Sequence, residues 1–193
     1  MRYIVPIIIL LAGLAACGPK PDSQPTAAPA GVSEYPPGAV RQQIDDIAGM
    51  EKVFVNGDQF LQAEGDYLNG LKHGAWVEYH NNGLPKSLTT YHKGLKQGVA
   101  IELSNRGAVE KKAYYHNDLL EGQYLVYSRN KVQEMLSYSN GKLNGPKKLF
   151  YTNGKPKEES NYVNGQIDGI AKYYRENGAL LFEYEYDMGK LVE

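Results

Sequence analysis

Between residues 53 and 192, hydrophobic and polar positions alternate with a period of two, the spacing of half-buried strands. In one set of segments Ala75, Val77 and Tyr79 take the alternate places, which Val99, Ile101 and Leu103, then Gln123, Leu125 and Tyr127, fill in turn. Lys148 and Lys172 interrupt the pattern in two later segments, where Phe150 and Tyr174 keep the last place aromatic. In the intervening segments Pro85, Val109, Val132, Pro156 and Leu180 form a second apolar column. A tyrosine closes it six residues later, on what simple alternation makes the same face. These residues are the expected inner face.

The segments repeat. Tyr67, Tyr91, Tyr115, Tyr138, Tyr162 and Tyr186 recur at intervals of 24, 24, 23, 24 and 24 residues. Gly74, Gly98, Gly122, Gly145 and Gly169 keep the same step, as do Gly83, Gly107, Gly154 and Gly178, with Asn130 standing in for the last series in the shortened repeat. Such periodicity is the mark of a repeat architecture. Asn-Gly at 82–83, 153–154 and 177–178 is expected to supply the positive φ of a tight type I′ turn, and the Gly-x3-Gly stretch the other reversal. Each unit is then a hairpin, and successive units an elongated single-layer antiparallel meander of about eleven or twelve strands. Val53 to Gly57 starts it irregularly and Tyr186 to Val192 ends it with a fragment.

The amino terminus reads differently. One positive charge precedes an apolar run from Ile4 to Leu14 that is too short for a stable span, the form of a secretory signal. Leu14-Ala15-Ala16-Cys17 closely resembles the lipobox of bacterial lipoproteins, which implies removal of residues 1–16 and a lipid on Cys17, with palmitate among its acyl chains. Gly18 after the cysteine, rather than Asp, implies the outer membrane, facing the periplasm. Residues 17–37 are Pro-rich and read as an extended tether. Residues 38–50 carry Val40, Ile44, Ile47 and Ala48 at helical spacing and predict a short capping helix, ahead of the repeat domain at 51–193.

The repeat motif, Tyr-x-Asn-Gly-x3-Gly-x4-Tyr-x3-Gly, resembles the MORN repeat family in the variant form found in YwqK-type antitoxin proteins. The resemblance covers roughly residues 51 to 193. It implies a sheet that binds a partner and has no catalytic centre of its own. The third repeat departs from it, with Asp118 for Gly and Ser128-Arg129-Asn130 at the second turn.

Composition narrows the chemistry. With 21 Lys+Arg against 22 Asp+Glu there is no global field to recruit nucleic acid. Sixteen tyrosines and 21 glycines beside four phenylalanines fit strands and turns that stay partly wet. A single cysteine excludes an internal disulfide and a cysteine-based metal cluster. His73, His80, His92 and His116 show no metal-ligand spacing, and His92 and His116 read as exposed turn residues. Asp45-Asp46 and Glu158-Glu159 face no nucleophile and read as solvated surface. No catalytic residue, cofactor site or metal site is therefore expected.

Aromatic residues off the expected inner face are the candidate partner-binding group: Trp76, Tyr114, Tyr124 and Tyr173. They either anchor a partner or pack against the amino-terminal segment and the other side of the sheet. Lys147, Lys148, Lys155 and Lys157 form a basic cluster, read as a solvated face or as a contact for an acidic partner. Two functions fit these features: a lipid-anchored immunity or antitoxin protein that occludes a toxic effector such as a phospholipase or other envelope hydrolase, and an envelope scaffold that binds a resident protein, lipid or peptidoglycan.

Overall fold

A computed structural model describes residues 35–192. They form one open antiparallel sheet of seventeen strands, with no helix among the described residues. The strands are β1 (Ala39–Gln43), β2 (Met50–Asn56), β3 (Leu61–Leu68), β4 (Leu71–Tyr79), β5 (Pro85–His92), β6 (Leu95–Leu103), β7 (Val109–His116), β8 (Leu119–Leu120), β9 (Gly122–Ser128), β10 (Lys131–Ser139), β11 (Lys142–Leu143), β12 (Gly145–Phe150), β13 (Pro156–Val163), β14 (Gln166–Ile167), β15 (Gly169–Tyr174), β16 (Leu180–Asp187) and β17 (Lys190–Leu191). Three of them, β8, β11 and β14, are short first stretches of strands that resume one residue later. Those three interruptions, β1 and the two-residue β17 account for the excess over the twelve strands expected.

The expected helix at 38–50 is instead β1 and a turn. Ala39 to Gln43 pair with Val55 to Glu51, and Arg41 bridges to Glu51 at 3.0 Å. A segment this short is a marginal helix. The open edge of β2 offers its main chain a full set of hydrogen bonds instead.

Turn assignments are exchanged relative to expectation. Positive φ at both central residues, the requirement of a type I′ turn, occurs at 69–70, 93–94, 117–118, 140–141, 164–165 and 188–189, after each column tyrosine. At Asn82-Gly83 only the glycine is positive. There the Gly83 N–H donates to His80 O (2.9 Å) and the His80 N–H to Leu84 O (2.8 Å), a longer turn closed by a glycine bulge. Asparagine is used for its side chain: Oδ1 of Asn82, Asn153 and Asn177 accepts from the N–H two residues on, at 3.1, 2.9 and 3.0 Å. The third repeat lost a residue at this turn and makes a two-residue reversal, with Arg129 and Asn130 both at positive φ. Gly74 and its equivalents turn no corner. They sit at positive φ in a bulge within the strand, as in β4, where Gly65 faces Trp76 but Asp66 faces His73.

The faces also differ from expectation. Simple alternation from Tyr79 through Pro85 to Tyr91 puts the tyrosine column on the Val77 face. Register slips between Glu78 and Tyr79, and again at Glu102/Leu103, Leu149/Phe150 and Tyr173/Tyr174, so the column emerges on the other side. Cross-strand partners then place Tyr67, Tyr91, Trp76, Tyr124 and Leu136 together on one face, hereafter the tyrosine face. This face holds the core, in two clusters. Val53, Ala63, Tyr67 and Trp76 form one; Ala113, Tyr124 and Leu136 form the other. The expected inner face is the wetter one, with Val77 half-buried and Ala75 exposed.

Each repeat is tied to the one before it. The second residue of each type I′ turn after the first donates its N–H back to the preceding repeat: Gly94 to Lys72 O (2.9 Å), Asp118 to Lys96 O (3.0 Å), Gly141 to Leu120 O (2.9 Å), Gly165 to Leu143 O (2.7 Å) and Gly189 to Ile167 O (2.7 Å).

Candidate functional site

Of the four aromatic candidates, the structure buries two. Trp76 is 4% exposed and packs edge-on to Tyr67 with ring centroids 5.8 Å apart. Tyr124 is 6% exposed and meets Tyr138 in the same way at 6.0 Å. Both are core residues of the tyrosine face, not rings on a free surface. Tyr114 lies on the opposite face, 37% exposed, with Lys112 Nζ 5.2 Å from its ring. Tyr173 is half-buried near the far end of the tyrosine face, and burial first, then the charge of Glu158, pushes its hydroxyl up to about 12. The four do not form one patch.

The residue opposite each column tyrosine explains which parts of this face are closed. In the first two repeats it is Lys72 and Lys96; after that it is Leu120, Leu143, Ile167 and Leu191. Lys72 Nζ sits 4.1 Å from the Trp76 ring and 5.1 Å from Tyr91, and Lys96 Nζ 4.9 Å from Tyr115. The early aromatic faces are thus occupied by the protein's own cations. Burial pushes the Lys72 ammonium below its ordinary pKa.

The lysine cluster is dispersed. Lys147 bridges to Glu158 at 2.9 Å, Lys148 to Glu159 at 2.8 Å on the opposite face, and Lys155 Nζ donates to Asn177 O at 2.6 Å. Hydrogen bonding to Lys148 holds the Glu159 carboxyl below the usual carboxylate range. His92 and His116 are exposed, whereas His73 and His80 are half-buried. From Gly98 on, the residue preceding each bulge glycine caps the next type I′ turn, a role sequence reading missed. Gln97, Glu121, Asn144 and Asp168 accept the N–H of Asn117 (3.1 Å), Asn140 (2.7 Å), Asn164 (3.3 Å) and Met188 (3.1 Å). His73 holds that position in the first repeat, and its buried Nδ1 has no hydrogen-bond partner among the described residues.

The surface most suited to contact is at the far end of the sheet. On β16, Leu180, Leu181, Phe182 and Tyr184 are all exposed, as are Ile170, Leu191 and Val192 nearby; the register sets Phe182, Tyr184 and Leu191 on the tyrosine face and Leu180 and Ile170 on the wetter one. Phe182 stands 4.9 Å from Tyr173 and 5.2 Å from Tyr184, so three rings run together on the tyrosine face. Contiguous exposed apolar side chains of this kind mark docking surfaces. A signal for them exists in the sequence: the Phe182 column otherwise holds Ala63, Ser87, Lys111, Glu134 and Glu158, and the Tyr184 column Gly65, Thr89, Ala113, Leu136 and Ser160. Aromatic side chains appear in these columns only at β16.

Elsewhere the surface is shallow. A recess of about 500 Å³, lined by Arg106, Val109, Tyr127 and Asn130, lies beside the shortened third turn. Among the described residues no three His, Cys, Asp or Glu side chains gather as a metal ion requires, and no helix is long and apolar enough to cross a membrane. Cys17, the signal segment and residues 18–34 of the tether lie outside the described residues.

The repeat unit is now defined by a bulge glycine, a bulged hairpin, a column tyrosine and a type I′ turn. Residues 143–164 and 167–188 match the MORN repeat variant. Each match runs from just before a bulge glycine, Gly145 or Gly169, to the type I′ turn that follows. The three preceding MORN-like units keep the same columns outside the matched stretches. MORN repeats of this kind suggest a repeat-based binding protein. No match was found among curated proteins.

Proposed function

We propose that this chain is a lipid-anchored protein of the bacterial envelope that neutralises a toxic effector, as an immunity or antitoxin protein, by laying its sheet over the effector's active-site mouth. The effector class that fits an envelope location is a phospholipase or another envelope hydrolase. The observation that carries the reading is the ring cluster of exposed Phe182 and Tyr184 beside Tyr173, on the tyrosine face at one end of a regular repeat sheet. The lipobox-like Leu14 to Cys17 and the Pro-rich stretch after it support an anchored protein with reach from the bilayer. Neutralisation then needs no chemistry from this chain, only a standard interface of about 1,600 Å² in total.

The test is affinity capture with the full tagged chain from detergent-solubilised envelope, followed by co-expression. One stoichiometric partner with a hydrolase or toxin domain, whose toxicity the chain suppresses, is the expected result. Recovery of abundant envelope proteins, lipid or peptidoglycan alone would replace neutralisation with scaffolding. Radiolabelled palmitate incorporation that disappears in Cys17→Ser tests the anchor.

A further inference from the structure

We propose that the open side of β16 takes an extended strand of another protein in which basic and apolar residues alternate. The inference rests on the reading of the chain as a protein-binding sheet and names the chemistry of what it binds. Glu185 O accepts the Val192 N–H at 2.8 Å, so the main-chain groups of Glu185 point away from β15. In an antiparallel strand, alternate residues point both groups to the same side, so Glu183 presents its own to that side too; the alternation stops there, because Leu181 is the extra residue of the bulge opposite Tyr173 and Tyr174. No described strand pairs with Glu183 there, because β17 covers only Tyr186 and Asp187. This is a ready edge for strand addition.

The side chains specify the visitor. One register row crosses the wetter face from strand to strand: Met135 faces Lys148, Lys148 faces Glu159, Glu159 faces Lys172 and Lys172 faces Glu183. Charge alternates along this row, and Lys148 closes on Glu159 at 2.8 Å. Glu183 is the last member, with Lys172 on one side and the open edge on the other. An incoming strand therefore places a Lys or Arg against Glu183. Its alternate residues fall on the tyrosine face beside Phe182 and Tyr184, where an apolar side chain completes the ring cluster. A second β16 fits poorly. Antiparallel self-pairing centred on Glu183 sets that carboxylate against its own copy, and pairing centred on Tyr184 sets Glu183 against Glu185, both of which are destabilising.

The probe is a synthetic peptide in which lysine and valine alternate over about eight residues, with a matched peptide carrying glutamate for lysine. Binding to the full chain in detergent is followed by fluorescence anisotropy and by hydrogen exchange of individual amides. The lysine peptide should bind, slow exchange at Glu183, and bind about fivefold less tightly to Glu183→Lys, for which the glutamate peptide should be preferred. Glu183→Pro should abolish binding of both peptides and keep the strand-rich circular dichroism spectrum, because the N–H it removes faces the open side. Absence of binding, equal binding of both peptides, or an unprotected Glu183 amide would overturn the proposal. So would a dimer in sedimentation that Glu183→Pro dissolves. A captured toxin that still binds Glu183→Pro overturns the edge and leaves neutralisation standing. An edge that takes the peptide in a chain with no toxin partner does the reverse.

Discussion

Trp76 covers Gly65: the indole lies where a side chain on its cross-strand partner would begin. The ring rests on bare backbone at one edge and on Tyr67 at the other. Gly65→Ala should therefore expel the ring and cost about 2 kcal/mol, and Trp76→Ala should cost about 3 to 5 kcal/mol. Chemical denaturation measures both. If Trp76→Ala retains stability and loses only partner binding, the residue is an anchor after all.

Two type I′ turns carry residues poorly suited to positive φ. Lys93 (φ 50) and Met188 (φ 45) occupy the position that Asn69, Asn117, Asn140 and Asn164 fill elsewhere. Asparagine visits this region at lower cost. Lys93→Asn and Met188→Asn should each stabilise by about 0.5 kcal/mol and raise Tm by about 1 to 2 °C. Scanning calorimetry of the single and double variants checks the gain and its additivity.

The cap that Glu121 provides links two repeats through the Asn140 N–H at 2.7 Å. Glu121→Ala should cost about 1 kcal/mol, and hydrogen exchange at Asn140 should quicken more than at the equivalent Asn164. Glu121→Gln should restore most of the loss, because the amide oxygen accepts the same bond as Gln97 does for Asn117.

Acid should act on two glutamates in opposite directions. The Glu159 carboxyl is held down first by its hydrogen bond to Lys148, so its contribution is present above the ordinary carboxylate value of 4.5 and is lost as pH falls through the lowered folded value. Burial raises Glu134, so its ionised form is a cost near neutral pH that acidification relieves. Lys148→Met should flatten the acid limb of a stability profile. Glu134→Gln should stabilise at pH 7, with the gain vanishing towards acid. A Glu134→Gln variant that loses stability at pH 7 would reverse the assignment.

The repeat, its step and the all-β sheet were legible because tyrosine and glycine recur at positions where backbone geometry admits few alternatives. Which face packs was not. Alternation is a local rule, and a bulge at Tyr79–Pro85 moves every later side chain of the hairpin across the sheet without changing the spacing of the letters. Slips of this kind are why Trp76 and Tyr124 fall off the expected inner face in the sequence reading, as anchors or as packing on the sheet's other side, and in the core of the fold. Ile44 and Ile47 misled for another reason: helical spacing in so short a segment competes with the unpaired edge of β2, and pairing prevails. The β16 patch escaped notice because its strand has the ordinary alternation; only comparison down the columns shows that Phe182 and Tyr184 are out of place.

The third repeat reaches the same columns as its neighbours with one residue fewer, since Arg129 and Asn130 replace a longer reversal by a shorter one. Its strands keep their pairing: Tyr124 still meets Leu136, and Met135 still meets Lys148. The connections at this side of the sheet therefore work as interchangeable couplings between strands of set length. Foreign segments grafted at Asn82, Asn130 or Asn153 would be carried side by side, one per hairpin, as a regularly spaced array along one margin of the protein.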